Sequence, residues 1–525
     1  MDNTVSIETI LIENAALKAE LSEAREKISW LMEQLSDHRR KIYGISSEKS
    51  AYDCKNEQLT YIDDDPPGLL VIHEKEVSEP APRGREKPKK LMEMSTRLPA
   101  GIPVEVIQCV IPEDELQEYG GRMHAIGKEL VRRDLKFTPP KATIVEYWRM
   151  AYADRDSELS AEKATIIKAP VPPPVIKGAM CSPETVAHIV VQKCVMGSPI
   201  YRQWQDWRRR GVPITKQTMA SWLIRCSEDY FEPIYNELHR RLLRNTLLYS
   251  DDTVVQVLKE PGKSAQSDSR MWLYRTGSDA VNPIVMYDYQ PDRRKERPME
   301  FLKGFSGYLV TDGFAAYHSL PENIISVGCF AHVRTAFDKA LKCLKNTERP
   351  GSLAMIGKEF CNKIFDIDRD TQDMEYDKRR KVRIEKAIPI LDEFHAWLKS
   401  VEPYVSTKSK LGKAVGYALN QWMYLIRYLD DGRIECSNNR SERSVKVFVI
   451  NRKNFLFADT VAGGRALAVM HTLTETAKES KLDPFKYLTF VLRQASAGNI
   501  RKDDGLLTSL LPENAPAFCR EVSPD

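Results

Sequence analysis

Residues 246–258 read TLLYSDDTVVQVL, an apolar and β-branched run interrupted at its middle by two carboxylates, Asp251 and Asp252. Its composition is that of a β-strand. Burying a carboxylate costs free energy unless a metal ion or a hydrogen-bond network offsets its charge. A strand interior also fixes a side chain more rigidly than a loop does, which suits a metal ligand. An Asp-Asp-Thr turn between two short strands fits the same residues. The choice between strand and turn depends on the rest of the chain.

At 525 residues the chain is too long for a single core and is expected to divide into about three or four units. A 42% hydrophobic and 29% charged composition is that of a globular protein. No apolar run reaches the roughly 18–20 residues of a membrane span, and the N-terminus is polar rather than signal-like, so no membrane partner is expected. The ten cysteines include no C-x-x-C pair. That argues for reduced thiols in a cytosol and against a disulfide scaffold. With a net charge of only +4, any nucleic-acid contact must come from local basic patches.

In residues 1–50, Ile7, Ile10, Asn14, Leu17, Leu21, Ala24, Ile28, Leu31 and Leu35 recur at alternating spacings of three and four, a heptad seam. It predicts a coiled-coil helix joining a homodimer or higher oligomer, with Asn14 fixing register; an amphipathic helix packed on its own protein is the other reading. Residues 51–102 form a polar, proline-rich linker. Within it Arg83-Gly84-Arg85 suits a DNA minor groove, although Glu86 replaces the usual proline and a solvated basic linker fits as well. Residues 103–170 hold short β-like runs and are read as a small domain, ending in the stiff PVPPP connector that begins at Pro170.

Residues 171–245 are read as helical. Ser182-Pro183 and Ser198-Pro199 each resemble an N-cap followed by proline at the first helical position. A helix through IYRQWQDWRRR stops at Gly211, and another starts after Thr215. Two helices around such a turn make a helix-turn-helix that would bind double-stranded DNA, with Arg208, Arg209, Arg210 and Lys216 at its phosphates. A purely structural helical hairpin is the alternative.

From residue 246 the pattern is three strands (246–258, 271–276, 283–289), a helix (297–305), a strand (308–311) ending on Asp312, a strand (324–329), and a helix carrying His332. This is the order of an RNase H-like fold, whose first and fourth strands lie side by side. Asp251 and Asp312, 312 − 251 = 61 positions apart, would then be neighbours. Residues 340–430 read as an all-helical insertion between a first core segment (246–339) and a last one (431–495), with a C-terminal tail (496–525). The fold class expected is therefore multidomain α+β. Glu442 falls on a helix after the insertion, with Asn438 and Asn439 on the same face and Arg443, Lys446, Arg452 and Lys453 as a basic strip. Two aspartates and a glutamate from three elements can hold Mg²⁺ or Mn²⁺ for an in-line attack on phosphorus.

These segments resemble the transposases of the insertion sequence 66 family, of the DDE type. The matching motifs are DDT at 251–253, W-x-Y at 272–274, TDGFAAY around Asp312, GCFAH at 328–332 with Arg334, NN-R-SER around Glu442, and INRKNFLF at 450–457. YGISSEKS, YRQWQDWRRRGVPITKQT and LLPEN extend the likeness over nearly the whole chain, in order. The resemblance implies a transposase that cleaves at element ends and joins the strands to target DNA. It implies Asp251, Asp312 and Glu442 as both catalytic residues and metal ligands, with small accessory proteins of the same element as partners. Asp252, where the family usually has Glu, would stand just outside that triad with Asn438, Asn439 and His332. Cys329-x-x-His332 resembles a signature following the second aspartate in several DDE groups; a metal site there needs partners not visible in the sequence. His332 is read either as a neighbour of the scissile phosphate or as a buried strand-end histidine. Thr335 stands in place of an Arg.

The family usually carries a cysteine-rich zinc-ribbon-like element before the helix-turn-helix. Here Leu116, Tyr119, Asp154 and Ser157 stand near the corresponding places, while Gly120, Gly121 and Gly127 remain. A degenerate, metal-free remnant held by packing, with a weakened DNA contact, is expected, and no zinc. Two other functions fit parts of the pattern: a catalytically silent DNA-binding derivative, and an RNase H-like structure-selective nuclease.

Overall fold

The computed structural model describes residues 142–153, 166–168 and 170–521. The heptad seam, Arg83 and Arg85, and most of segment 103–170 lie outside the described residues. Two compact units are present. One contains a short antiparallel pair, β1 (Ala151–Ala153) and β2 (Ile166–Lys168). The other, residues 172–519, contains all the elements that follow.

It opens with helices. Ser182 caps α1 (Pro183–Cys194), its hydroxyl accepting from the Thr185 N–H at 3.2 Å, and Pro183 sits where its missing N–H has no partner to lose. At Ser198-Pro199 the expected cap shifts by one residue: α2 (Ile200–Arg209) starts after Pro199, and no side chain caps it. Gly211, at φ 79°, makes the turn, and the Thr215 hydroxyl caps α3 (Lys216–Cys226) through the Thr218 N–H. Met219, Trp222 and Leu223 of α3 are buried. Helix α4 (Glu232–Leu242) then leads into the sheet.

Strand β3 (Leu247–Lys259) runs 13 residues without interruption, so Asp251 and Asp252 lie inside a strand and not in a turn. It is followed by β4 (Asp268–Thr276), β5 (Val285–Gln290), α5 (Glu296–Phe301), β6 (Gly307–Val310), β7 (Ile324–Val327) and α6 (Phe330–Lys342). The strand order is β5-β4-β3-β6-β7, with β4 antiparallel and β6 parallel to β3. The first and fourth strands of the sheet are neighbours, as the sequence order implied. Tyr249 pairs with Val310, an offset of 310 − 249 = 61. Asp251 and Asp312 each lie two residues beyond that last pair.

Three helices follow: α7 (Leu353–Asp370), α8 (Tyr376–Val401) and α9 (Lys410–Leu425). Their aromatic centre is Phe394, whose ring lies 4.9 Å from Phe360 and 5.7 Å from Trp422. Apolar residues of this layer share a core with Tyr249, Val310, Val327 and Phe337, which joins the helices to one end of the sheet. The chain returns through α10 (Asn439–Phe455) to β8 (Phe457–Thr460), a strand the sequence analysis did not identify. It pairs in parallel with the far half of β3, Gln256 opposite Phe457. Helices α11 (Val461–Glu479), α12 (Pro484–Ala497) and α13 (Asp504–Ser509) complete the unit. Tyr487 and Leu488 of α12 and Leu510, Leu511 and Cys519 beyond it are buried in the larger core. Among the described residues no helix is long and apolar enough to cross a membrane.

Candidate active site

The edge of β3 facing β6 and β8 is shared between them: β6 pairs with residues 247–249 and β8 with residues 256–259. Between these contacts lies a gap, and Asp251 stands at its start. Such a crevice at the carboxyl end of a parallel strand is where α/β sheets present their reactive groups. Arg452, from the basic strip, reaches into the gap and donates to the Val254 carbonyl at 2.5 Å.

Each acidic residue is held by its own element. Asp251 is half-buried, its Oδ1 accepting from the Asp252 N–H at 2.8 Å. Asp312 lies two residues beyond β6 and forms a tight turn, with Oδ1 accepting from the Phe314 N–H at 2.9 Å. Gly313 continues that turn at φ 84°, where a Cβ would come within 2.8 Å of Gln421 Oε1, so only glycine suits the position. From α9, the Tyr417 hydroxyl donates to the Asp312 carbonyl at 2.7 Å. The helical layer thus steadies the second aspartate.

Glu442 occupies the first turn of α10. Buried Arg275 of β4 donates to Ser444 Oγ at 2.6 Å, and the Tyr287 hydroxyl of β5 donates to the Ser444 carbonyl at 2.7 Å. Both pin the helix two residues from the glutamate. Asn438, the residue before α10, is fully buried and donates through Nδ2 to the Ser250 carbonyl at 2.8 Å. It ties the glutamate helix to the strand residue next to Asp251. Asn439 is half-buried at the first helical position.

Asp251 feels the acidic groups around it. Burial pushes the Asp251 carboxyl well above the ordinary aspartate range, and the charges of Asp312, Glu442 and Asp252 push it further. Asp252 takes the opposite face of the strand. Its carboxylate is 1% exposed and accepts from Arg293 Nη2 at 2.7 Å and Nε at 3.0 Å, and from Arg270 Nη1 at 3.2 Å. Burial still raises its pKa, against the pull of both arginines. Arg293 also lies 3.6 Å from Asp312 Oδ2 and 3.8 Å above the Phe314 ring. Sequence reasoning missed Arg293, since DRRKER reads as a solvated charge run.

Carboxylate oxygens from Asp251, Asp312 and Glu442 are hard donors of the kind that suit Mg²⁺ or Mn²⁺. Beside them, His332 Nδ1 lies 3.6 Å from Glu442 Oε1. Burial lowers the His332 pKa, but Cys329 and Glu442 outweigh it and push the imidazole up to about 10. His332 is half-buried in the first turn of α6, and Cys329, directly before that helix, is fully buried.

The remaining basic residues lie elsewhere. On α2, Arg208 sits over the Trp204 ring at 5.7 Å, while Arg209 and Arg210 reach Asp206 at 3.8 and 2.8 Å. Lys216, at the start of α3, lies over Tyr201 at 5.8 Å. Asp206 therefore offsets part of the arginine run. Arg443 and Lys453 are exposed on α10.

Residues 178–466, more than half of the chain and spanning all three carboxylates, match the family described as Transposase IS66 family. Two similar proteins come from Sinorhizobium fredii. Uncharacterized protein y4jD is 29% identical over 406 residues, covering 75% of this chain and 76% of its own length. Uncharacterized protein y4qI is 28% identical over 513 residues, covering 94% and 91%.

Proposed function

The chain belongs to the IS66 transposase family, and from that premise we propose that it is a metal-dependent DNA transposase with an RNase H-like core, which cleaves strands at the ends of an insertion sequence and joins them to target DNA. Membership makes it a nucleic-acid-processing enzyme that binds DNA. The observation supporting the finer reading is the charge cluster itself: Asp251, half-buried inside a continuous strand, has Asp312, Glu442 and Asp252 around it, and their charges raise its pKa. Clusters of this kind mark functional sites more often than structural ones.

Asp251, Asp312 and Glu442 would hold Mg²⁺ or Mn²⁺, which supplies positive charge at the attacking and departing oxygens of an in-line displacement. Hydrolysis with a 3′-hydroxyl leaving group frees the element end. That hydroxyl then attacks a target phosphodiester and displaces another 3′-hydroxyl, so one phosphodiester forms for each one broken and no energy-rich cofactor is consumed. The protein's contribution is positioning. Tyr417 holds the Asp312 turn, Arg275 and Asn438 hold the Glu442 helix, and Arg293 spans Asp252 and Asp312. The α2–α3 helix-turn-helix would grip the terminal repeats through Arg208, Arg209, Arg210 and Lys216, with Arg443, Arg452 and Lys453 along the DNA near the carboxylates. Residues 1–50 would pair two chains so that both ends are cut together, and small accessory proteins of the same element would complete the assembly.

The test supplies a pre-cut element end with a free 3′-hydroxyl, supercoiled plasmid and Mg²⁺. Wild type should yield joined product and Asp312→Asn none. Cleavage of intact ends without joining would favour the nuclease reading. Binding with neither reaction, even after the neighbouring accessory proteins are added, would favour a silent DNA-binding derivative.

A further inference from the structure

Cys329, His332 and Glu442 come from separate points of the chain, 442 − 329 = 113 positions apart at the extremes, yet a ligating atom of each lies within 4.8 Å of the other two. A sulfur, an imidazole nitrogen and a carboxylate oxygen are a zinc-type donor set, not a magnesium-type one. His332 Nδ1 is shielded from solvent and has no hydrogen-bond partner, while standing 3.6 Å from Glu442 Oε1. Cys329 Sγ accepts from the Asn438 N–H at 3.1 Å, the kind of outer hydrogen bond that orients a metal-bound ligand. That donor belongs to the residue preceding the Glu442 helix, so sulfur and carboxylate are set by the same turn of chain.

We propose that Cys329, His332 and Glu442 form a second, thiophilic cation site, selective for Zn²⁺-class ions, which shares its carboxylate with the magnesium-type cluster. A three-ligand site of this kind leaves a fourth position for water. Binding draws Glu442 toward sulfur and imidazole and away from Asp251 and Asp312, so zinc-class ions antagonise the Mg²⁺-supported reaction. The proposal rests on the assignment of Glu442 to that reaction only for this inhibitory consequence; the binding itself does not.

Co²⁺ serves as a spectroscopic stand-in for Zn²⁺ on the full-length protein. Wild type should develop a near-ultraviolet thiolate-to-cobalt band that Zn²⁺ erases. Cys329→Ser should bind one ion fewer and lose that band, and His332→Ala, at a half-exposed position that tolerates truncation, should weaken binding at least about tenfold. Asp251→Asn should retain the band in full. In cleavage assays with Mg²⁺, micromolar Zn²⁺ should suppress wild type at least about tenfold more than His332→Ala, each referred to its own rate without zinc. An equal band in Cys329→Ser, or none in wild type, overturns the site. If no variant cleaves DNA while the cobalt results stand, the transposase reading fails and the metal site survives.

Discussion

Asp368 and Asp251 are both half-buried acids, and the chain surrounds them on different plans. At Asp368, Oδ1 accepts from Arg379 Nη2 at 3.1 Å and also from Arg383 Nη2, while Oδ2 takes the Cys436 N–H at 3.4 Å. Arg383 is itself fully buried and donates to the Ile434 carbonyl at 2.6 Å. Every charge there has an opposite charge against it, and the result is a cross-brace between α7, α8 and the segment entering α10. At Asp251 the neighbours are three more carboxylates, Asp312, Glu442 and Asp252, with the Arg293 guanidinium 3.6 Å from Asp312 at the edge of the group. The first arrangement closes on itself. The second packs like charges around one carboxyl, an arrangement that a bound cation would relieve.

The contrast is broken most strongly by swapping charge for neutrality at each centre. Asp251→Asn should cut Mg²⁺-dependent cleavage at least about a thousandfold, while DNA binding in gel-shift assays changes little. In chelator, the same variant should melt about 1 °C higher than wild type, the shift that roughly 1 kcal/mol gives in a chain of this size. The sign follows from the raised carboxyl of Asp251. Its contribution to stability is fully present below the ordinary aspartate range and is lost as pH rises through the raised folded value. Metal-free wild type should therefore lose melting temperature across that interval more steeply than Asp251→Asn.

Asp368→Asn should do the reverse, losing about 3–5 kcal/mol in denaturant titration because two buried guanidinium groups lose their counter-charge. Its remaining folded fraction should show an unchanged Mg²⁺ half-saturation. Arg293 belongs to both plans, pairing with Asp252 and approaching Asp312. Arg293→Ala should cost about 2 kcal/mol and raise the Mg²⁺ half-saturation several-fold, with Arg293→Lys recovering part of each. Unchanged metal dependence in Arg293→Ala would confine the residue to the structural plan. Asn438→Ala should have the smallest effect, about 1 kcal/mol of stability measured by thermal melting.

Much of this architecture could be read from the chain because it is local or periodic. The β3 run is long and rich in β-branched residues, the β6 and β7 runs are short apolar stretches, and their order implied that Asp251 and Asp312 are neighbours; the 61-residue register offset has the same value. Ser182 and Thr215 carry their caps in their own side chains. Strand β8 was not legible, because FADT has no β-branched run and its Thr460 serves as the cap of α11. Arg293 was hidden for another reason: a guanidinium in DRRKER declares nothing until the fold brings Asp252 to it. The approach of Cys329 and His332 to Glu442 depends on a path through three insertion helices, which no local spacing encodes.

The central claim is that the third carboxylate completes a catalytic centre. Its most direct test incubates purified protein with Mg²⁺ and a duplex carrying the native element end, wild type against Glu442→Gln, scoring both binding and cleavage at the end boundary. Cleavage by wild type alone is expected, with comparable binding by both proteins. Equal cleavage by Glu442→Gln would contradict it.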